Sequence, residues 1–236
     1  MTKIKFQLRK VVATVICLTG TATIFAQEET GVVINGVMWA TRNVDSVGTF
    51  VKKSENIGMF YRWNRIKAWT SISEYADQET TVPISTTWET VNDPSPDGWR
   101  VPSKTEIYKL LDTTKVKYEW LTENSVCGGR FTDKATGKSI FLPAAPWQDF
   151  NGTILSFDNT PENEDVYGHY WSSNHANSTN AYHLYFRKNN LRVYNSYYLF
   201  FFSIRPVKNF FSETDKISSD TETASITINL NFRAGE

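Results

Sequence analysis

The residues best suited to bind a ligand lie in one tract near the end of the chain. Tyrosine gives a large, fairly rigid and amphipathic contact surface, and asparagine adds adaptable hydrogen bonds. Aromatic rings also stack on sugars, so the mixture of arginine, asparagine and tyrosine predicts a glycan or a protein ligand on a cell or host surface. The candidate binding residues are Arg187, Asn189, Asn190, Arg192, Tyr194, Asn195, Tyr197, Tyr198 and Phe200.

The aromatic run "VYNSYYLFFFSIRPV" divides into two parts. In its second half, Phe202 and Ile204 follow a two-residue period that leads to Pro206, which predicts that both side chains lie on the inward face of one strand. The boundary falls near Phe201, and "FSIRPV" is expected to be the closing strand. Before the boundary there is no core periodicity, so we expect four aromatic residues to be exposed: Tyr194, Tyr197, Tyr198 and Phe200.

Metal-ligand residues are present, but their spacing matches no compact zinc pattern. His169, His175 and His183 are separated by five and seven residues. Carboxylates crowd the preceding loop, and they favour a solvated acidic segment with a calcium site as the alternative. The loop lacks the order of an EF-hand, so no metal or cofactor is assigned. Its acidic residues are Asp158, Glu162, Glu164 and Asp165.

Signatures of catalysis are missing from the sequence. It has no His-Glu-x-x-His, Gly-x-Ser-x-Gly or glycine-rich phosphate-binding motif. Cys127 lies in "SVCGGRF" without a supporting nucleophile signature, and a small buried apolar role suits it better. We therefore predict that the protein is not an enzyme and has no catalytic residues.

The first 26 residues have the pattern of a cleaved signal peptide. Four basic residues precede an apolar stretch over 11–25, which is short for a membrane span. Cleavage after Ala26 predicts an exported protein, extracellular, periplasmic or on the cell surface, with no membrane insertion afterwards. Cleavage leaves 21 basic and 25 acidic residues, a net charge of −4 that argues against nucleic-acid binding.

Three local signals predict the elements that position the tract. Asn35-Gly36 between apolar residues favours a hairpin, and a second hairpin is expected to turn at 135–137. Ser103 and Glu106 form a capping-box pattern that predicts a helix over 104–112. Short strands around few helices indicate an α+β domain over 27–209. Residues 210–236 read as a polar linker followed by a strand at 226–232.

The order of several motifs resembles the Fibrobacter succinogenes major paralogous domain family. These motifs are "INGVMWATRNV", "GMFYRWN", "PSPDGWRVPSKTEIYKLL", "FLPAAP", "GHYWSSN", "AYHLYF" and "FSIRPVK". The resemblance extends over about residues 32–208. The resemblance implies a C-type lectin-like domain of short antiparallel strands with one or two helices. It also implies a surface protein of Bacteroidetes or their relatives. Trp99 and Trp171 are expected to maintain the fold.

The tail also resembles the variable region of target proteins of diversity-generating retroelements. It runs from a Trp-Ser-Ser strand through an Ala-Tyr strand and an Asn/Tyr/Ser-rich tract to an "FSVRPV"-like ending. Phe201 departs from that pattern, which prefers glycine there. The resemblance implies a diversified adhesin. The alternative is a structural component of a surface appendage or envelope assembly, in which the strand at 226–232 pairs with another subunit.

Overall fold

The computed structural model describes residues 29–70, 81, 83–149, 153–155 and 166–209. Within these ranges the chain forms short strands, one α-helix (α1, Lys104–Leu110) and one 3-10 turn (Thr90–Asn92). The strands are β1 (Val32–Ile34), β2 (Val37–Trp39), β3 (Phe60–Arg62), β4 (Ala68–Trp69), β5 (Trp99–Arg100), β6 (Val116–Glu123), β7 (Val126–Asp133), β8 (Ser139–Pro143), β9 (Trp147–Gln148), β10 (Ile154–Leu155), β11 (Gly168–His175), β12 (Asn180–Arg187), β13 (Asn190–Tyr197), β14 (Phe201–Phe202) and β15 (Val207–Lys208).

These strands pair into four sheets, and every named strand pair is antiparallel. Two sheets are simple meanders, β6-β7-β8 and β11-β12-β13. The other two join strands from distant parts of the chain, in the orders β1-β2-β15-β5 and β10-β9-β14-β3-β4. The predicted binding tract forms the edge strand β13 and the turns on either side of it.

The predicted α+β class, a C-type lectin-like domain with one or two helices, is wrong. The described residues are 44% strand and only 6% helical, which makes a β-rich antiparallel fold. The physical reason is that α1 is a seven-residue helix, too short to form a helical layer. The longest elements of the described chain are eight-residue strands that follow α1, among them β6, β7 and β12.

Helix α1 begins as the sequence predicted. The Glu106 backbone amide donates to Ser103 Oγ at 3.2 Å, and the Ser103 amide donates to Glu106 Oε2 at 2.7 Å. Both halves of the capping box are therefore formed. Ile107 and Leu110 on one side of the helix are buried in the core. The helix ends at Leu110, two residues before the predicted end.

Both predicted hairpins are confirmed. Asn35 and Gly36 connect β1 to β2 with φ angles of 45° and 74°. Two successive positive φ angles define the turn that matches the twist of paired strands, and Asn-Gly adopts them at little cost. Strands β7 and β8 pair across the turn that contains Gly137.

The sheet β11-β12-β13 contributes to two buried clusters, one on each face. Tyr170, Leu184 and Phe186 join the cluster that includes α1. Trp171 and Ala181 join the cluster that includes Phe202 and Ile204. Full burial of each large side chain contributes roughly 1.5–3 kcal/mol, so this sheet is held from both sides over part of its length.

The closing segment is buried as predicted at Phe202 and Ile204, but it is not one strand. Residues 203–206 cross from the sheet of β14 to the sheet of β15. Along this crossing, Ile204 O accepts from Val44 N at 3.0 Å. Pro206 has no amide hydrogen, so a continuous ladder cannot pass through it.

Several sequence predictions fall outside the described residues. They are the signal peptide over 1–26, most of the acidic loop, and the linker and strand over 210–236. Cys127 is a free thiol and is buried, as expected. Among the described residues, no helix is long and apolar enough to cross a membrane.

Candidate functional site

The hairpin of β12 and β13 carries most of the predicted binding residues, but strand alternation distributes them over two faces. Arg192 and Tyr194 point to one face and are exposed. Leu191 and Val193, between and beside them, pack against the buried cluster that contains Phe186. One face of the tract therefore packs against the core, and the other face is exposed to solvent.

Strand register places the residues of this sheet face in two rows, which run from buried positions on β11 to exposed positions on β13. In the first row, His169 lies opposite Tyr185, which lies opposite Arg192. The second row, one pleat away, runs through Trp171, His183 and Tyr194 in the same order. Residues directly opposite and two apart share a face. Hence Tyr185, Arg192 and Tyr194 meet at the β13 edge.

We define the aromatic face as Tyr167, Tyr185, Arg192 and Tyr194. The Arg192 guanidinium carbon lies 4.6 Å from the Tyr194 ring centroid and 5.0 Å from that of Tyr185. The Tyr167 ring lies 5.9 Å from the Tyr185 ring. Tyr194 is 48% exposed, and the other two tyrosines are half-buried. The face thus offers ring surfaces around one cation, each worth about 0.5–1 kcal/mol in cation–π contact at an exposed site.

A pair of buried histidines lies beside the aromatic face, in the same two rows of the sheet. The rings of His183 and Tyr194 are 5.9 Å apart, edge to face, and those of His169 and Tyr185 are 5.2 Å apart. The two histidines contact each other through their Nδ1 atoms at 3.4 Å. The rings of Tyr185 and Tyr194 therefore pack edge to face against a buried pair of imidazoles.

Hydrogen bonding assigns the proton positions of this pair. His183 Nδ1 lies 3.2 Å from Leu184 O, which can only accept, so Nδ1 carries the hydrogen. His183 Nε2 then accepts from Ser196 Oγ at 3.0 Å. His169 Nδ1 faces a donor and must be unprotonated, which places its hydrogen on Nε2. Within the described part of the chain, His169 Nε2 has no hydrogen-bond partner.

Burial keeps both histidines neutral. Desolvation lowers the pKa of His183 to about 3, the Leu184 carbonyl opposes that shift, and the nearby Arg192 cation adds to it. Desolvation and the neighbouring His183 hold the pKa of His169 well below its usual range. At neutral pH, Arg192 is therefore the only charged side chain in these two neighbouring rows.

Phe202 packs on the β11 side of the two rows. Its ring centroid is 4.7 Å from those of His169 and His183 and 4.2 Å from that of Trp171. Trp147 packs beside His169 at 5.7 Å. The rings of Phe202 and Trp147 therefore cover the β11 end of the two rows, whereas the β13 end is open to solvent.

The remaining candidate residues lie away from the aromatic face. Arg187, Asn189 and Asn190 are at the turn between β12 and β13. Asn195 is on the opposite face, where its Oδ1 accepts from Asn180 Nδ2 at 3.0 Å. Phe200 is half-buried against Trp147, with ring centroids 4.9 Å apart.

Tyr198 corrects one expectation. It was predicted to be exposed, but it is only 3% exposed. Its hydroxyl donates to Ser178 O, its amide donates to Thr179 O at 3.2 Å, and its carbonyl accepts from Trp63 N at 3.2 Å. A residue bonded at three points to two neighbouring segments has a structural role. Tyr197, stacked on it at 5.5 Å, is half-buried.

Two members of the aromatic face, Tyr167 and Tyr185, were not among the binding residues predicted from the sequence. The segment "AYHLYF" contains the signal for Tyr185, because the two-residue period places Ala181, His183 and Tyr185 on one face. That period alone does not tell which face is open. Only the pairing of Tyr185 with Arg192 at the sheet edge shows it.

A cavity elsewhere has a polar lining, but its polar groups already serve the fold. It has a volume of about 580 Å³ and is lined in part by Asp93, Arg100 and Asn174. Asp93 accepts from the Val101 amide at 2.9 Å, Arg100 pairs with Glu106 at 2.7 Å, and Asn174 accepts from the Lys104 amide at 2.7 Å. Bonded this way, these groups order the entry to α1.

The described residues contain no group of three or more His, Cys, Asp and Glu side chains that could hold a metal ion. The two histidines in contact are thus a pair without a third ligand. The calcium alternative rested on the acidic loop, which lies outside the described residues.

Comparison of the chain with protein families, with curated proteins and with solved structures found no match. The resemblance to the Fibrobacter succinogenes major paralogous domain family stays a prediction.

Proposed function

We propose that this protein is an exported, non-catalytic binding module that holds a saccharide on the aromatic face. One observation carries the proposal: Tyr185, Arg192 and Tyr194 form a solvent-facing cluster at the β13 edge of the sheet, beside a buried histidine pair. Tyrosine rings are flat apolar surfaces with a polar rim, and they contact the C–H faces of a sugar. Export follows from the signal-peptide pattern of residues 1–26.

The size of the face favours a saccharide over a protein. A standard protein interface uses about 20–30 residues on each side. The aromatic face has four side chains, which suits one or two sugar rings. Small rigid groups also lose little conformational entropy on binding, because a tyrosine has only two side-chain torsions.

The position of the tract also suits a diversified adhesin, the finer form of this proposal. Strand β13 is an edge strand, so its exposed side chains can change without altering a second strand pair. Surface substitutions usually change stability by no more than about 0.5 kcal/mol. Sequencing the locus in related isolates tests this form. Variation confined to the outward positions, with a template repeat nearby, is expected; an invariant tract contradicts it.

A glycan array with matched variants tests the binding function. We expect Tyr194→Ala to lose at least about tenfold in affinity for any saccharide that binds, because it removes the most exposed ring. Tyr108→Ala is the control, since Tyr108 is also exposed, at 52%, but lies on α1. Equal binding by both variants, or no binding of any saccharide by the folded protein, overturns the proposal.

A further inference from the structure

Arg192 is the one member of the aromatic face that carries a charge. Its guanidinium lies against the rings of Tyr185 and Tyr194, which are on the facing strand and on its own strand. Two ring contacts restrict a long side chain that otherwise samples many rotamers. The cation is therefore held in place before a ligand arrives, which reduces the entropy cost of binding.

Arg192 has no counter-ion within the described part of the chain. Other arginines do: Arg42 pairs with Glu29, Arg100 with Glu106 and Arg130 with Glu123, each at 2.7 Å. Arg192 is exposed, and it makes ring contacts without an ion pair or a hydrogen bond among the described residues. Because no described residue pairs with its N–H groups, they can bind an oxyanion.

The geometry points to an anionic saccharide as the ligand, a sugar whose carboxylate or sulfate binds Arg192 while its ring packs on Tyr185 or Tyr194. This inference rests on the proposed function and names its ligand class. A guanidinium presents parallel N–H donors that match the oxygens of a carboxylate or sulfate. The tyrosines beside it supply the ring contacts that a free inorganic anion cannot use.

A neutral saccharide offers the Arg192 guanidinium only uncharged oxygens as acceptors. A guanidinium binds a carboxylate or sulfate through shorter and stronger hydrogen bonds, which can be bidentate. The cation therefore discriminates between an acidic sugar and its neutral counterpart of the same shape. The tyrosines set affinity for the ring, and Arg192 sets the preference for charge.

Titration calorimetry at physiological ionic strength tests this with three probes of matched ring type. They are an oligogalacturonate, its full methyl ester and a sulfated galactan oligosaccharide. We expect the protein to bind one or both anionic probes at least about tenfold more tightly than the ester. Comparing the affinities of the two anionic probes shows whether the site prefers a carboxylate or a sulfate. Equal binding of all three probes overturns this inference and leaves the binding function standing.

Variants assign the preference to Arg192. Arg192→Gln is expected to bring the anionic probe to the affinity of the ester without abolishing ester binding. Arg192→Lys keeps the charge but loses the paired donors, so an intermediate preference is expected. Lys138→Gln is the control, since it removes a positive charge from an exposed residue outside the tract. An unchanged preference in Arg192→Gln overturns the inference.

Two further results separate this inference from failure of the function itself. No binding of any probe by the folded protein overturns both. Binding of an oligoglutamate peptide as tightly as the oligogalacturonate overturns the saccharide class, because charge alone would then be enough.

Discussion

Arg205 donates its Nε hydrogen to Asn43 Oδ1 across 2.7 Å, although 162 positions separate the two residues in the sequence. Arg205 is fully buried, and its NH1 group also donates to Ala40 O at 3.2 Å. Burial lowers the pKa of Arg205 to about 10, so the side chain stays charged at neutral pH. The bond joins the "ATRNV" and "FSIRPV" motifs inside the core.

Asn43 extends this network to the β11-β12-β13 sheet. Its Nδ2 group donates to Ile57 O at 2.8 Å and to the Tyr170 hydroxyl at 3.1 Å. Tyr170 in turn donates to Pro143 O at 2.7 Å. Strand β11, which carries Tyr170, is therefore bonded through Asn43 to the closing segment of the chain.

Removing Asn43 is expected to destabilise the protein strongly. Asn43→Ala leaves the Arg205 cation buried without its side-chain acceptor, and losing a hydrogen bond to a buried charged group costs about 1.5–3 kcal/mol. Urea denaturation followed by fluorescence measures the loss. Asn189→Ala, at the exposed β12–β13 turn, is the control and should change stability by less than about 0.5 kcal/mol. A loss below about 1 kcal/mol in Asn43→Ala contradicts this account.

The buried histidine pair predicts that stability falls with acid. In the unfolded chain a histidine binds a proton below pH 6.5, whereas folded His183 stays neutral down to about pH 3. Within that window the unfolded state holds more protons, so the free energy of unfolding decreases as pH falls. Each histidine contributes about 1.4 kcal/mol per pH unit. His169 acts in the same direction, since its pKa is also lowered.

Urea denaturation at a series of pH values between 7 and 4 measures this slope. His183→Gln should reduce it, because one of the two buried titrating groups is gone. His175→Gln is the matched control, since His175 is half-buried and outside the pair. A wild-type slope in His183→Gln contradicts the assignment.

The capping box of α1 makes a local prediction. Ser103→Ala removes the oxygen that accepts from the Glu106 amide, which costs about 1 kcal/mol at a helix N-terminus. Thermal unfolding should show a lower Tm. Thr105→Ala, exposed in the same helix turn, is expected to be neutral or slightly stabilising because alanine favours helix. A larger loss in Thr105→Ala than in Ser103→Ala would count against the cap.

Alternation along β13 predicts opposite responses at adjacent positions. Val193→Asn places a polar amide against the buried cluster and should cost about 1–3 kcal/mol. Arg192→Asn changes an exposed residue and removes only solvent-facing ring contacts, so it should cost less than Val193→Asn. The denaturation midpoints of the two variants measure these losses of stability. Equal losses would mean that both faces of the strand are packed.

Much of the local structure was predictable from the sequence. Asn35-Gly36 determined the first hairpin, because few other residue pairs adopt two positive φ angles at low cost. Ser103 and Glu106 determined where α1 begins. The period-two pattern correctly placed Phe202 and Ile204 inside. All of these depend on neighbours within a few residues.

The sequence predictions that were wrong concern features that depend on contacts between distant segments of the chain. The α+β class failed because strand content depends on which partners each short segment finds. Tyr198 was expected to be exposed, but Ser178 and Trp63 surround it from two other parts of the chain. The sequence of "FSIRPV" showed a strand, while the crossing between two sheets splits it at 203–206.

The sequence by itself determined the hairpin turns, the start of the helix and the residue types of the binding tract. Only the tertiary structure decided which of those residues form a surface, because that depends on strand register across β11, β12 and β13. Register placed Tyr185 beside Arg192 and sent Asn195 to the other face. A shift of one residue would have reversed both, and that choice is made by long-range burial, which no short stretch of sequence contains.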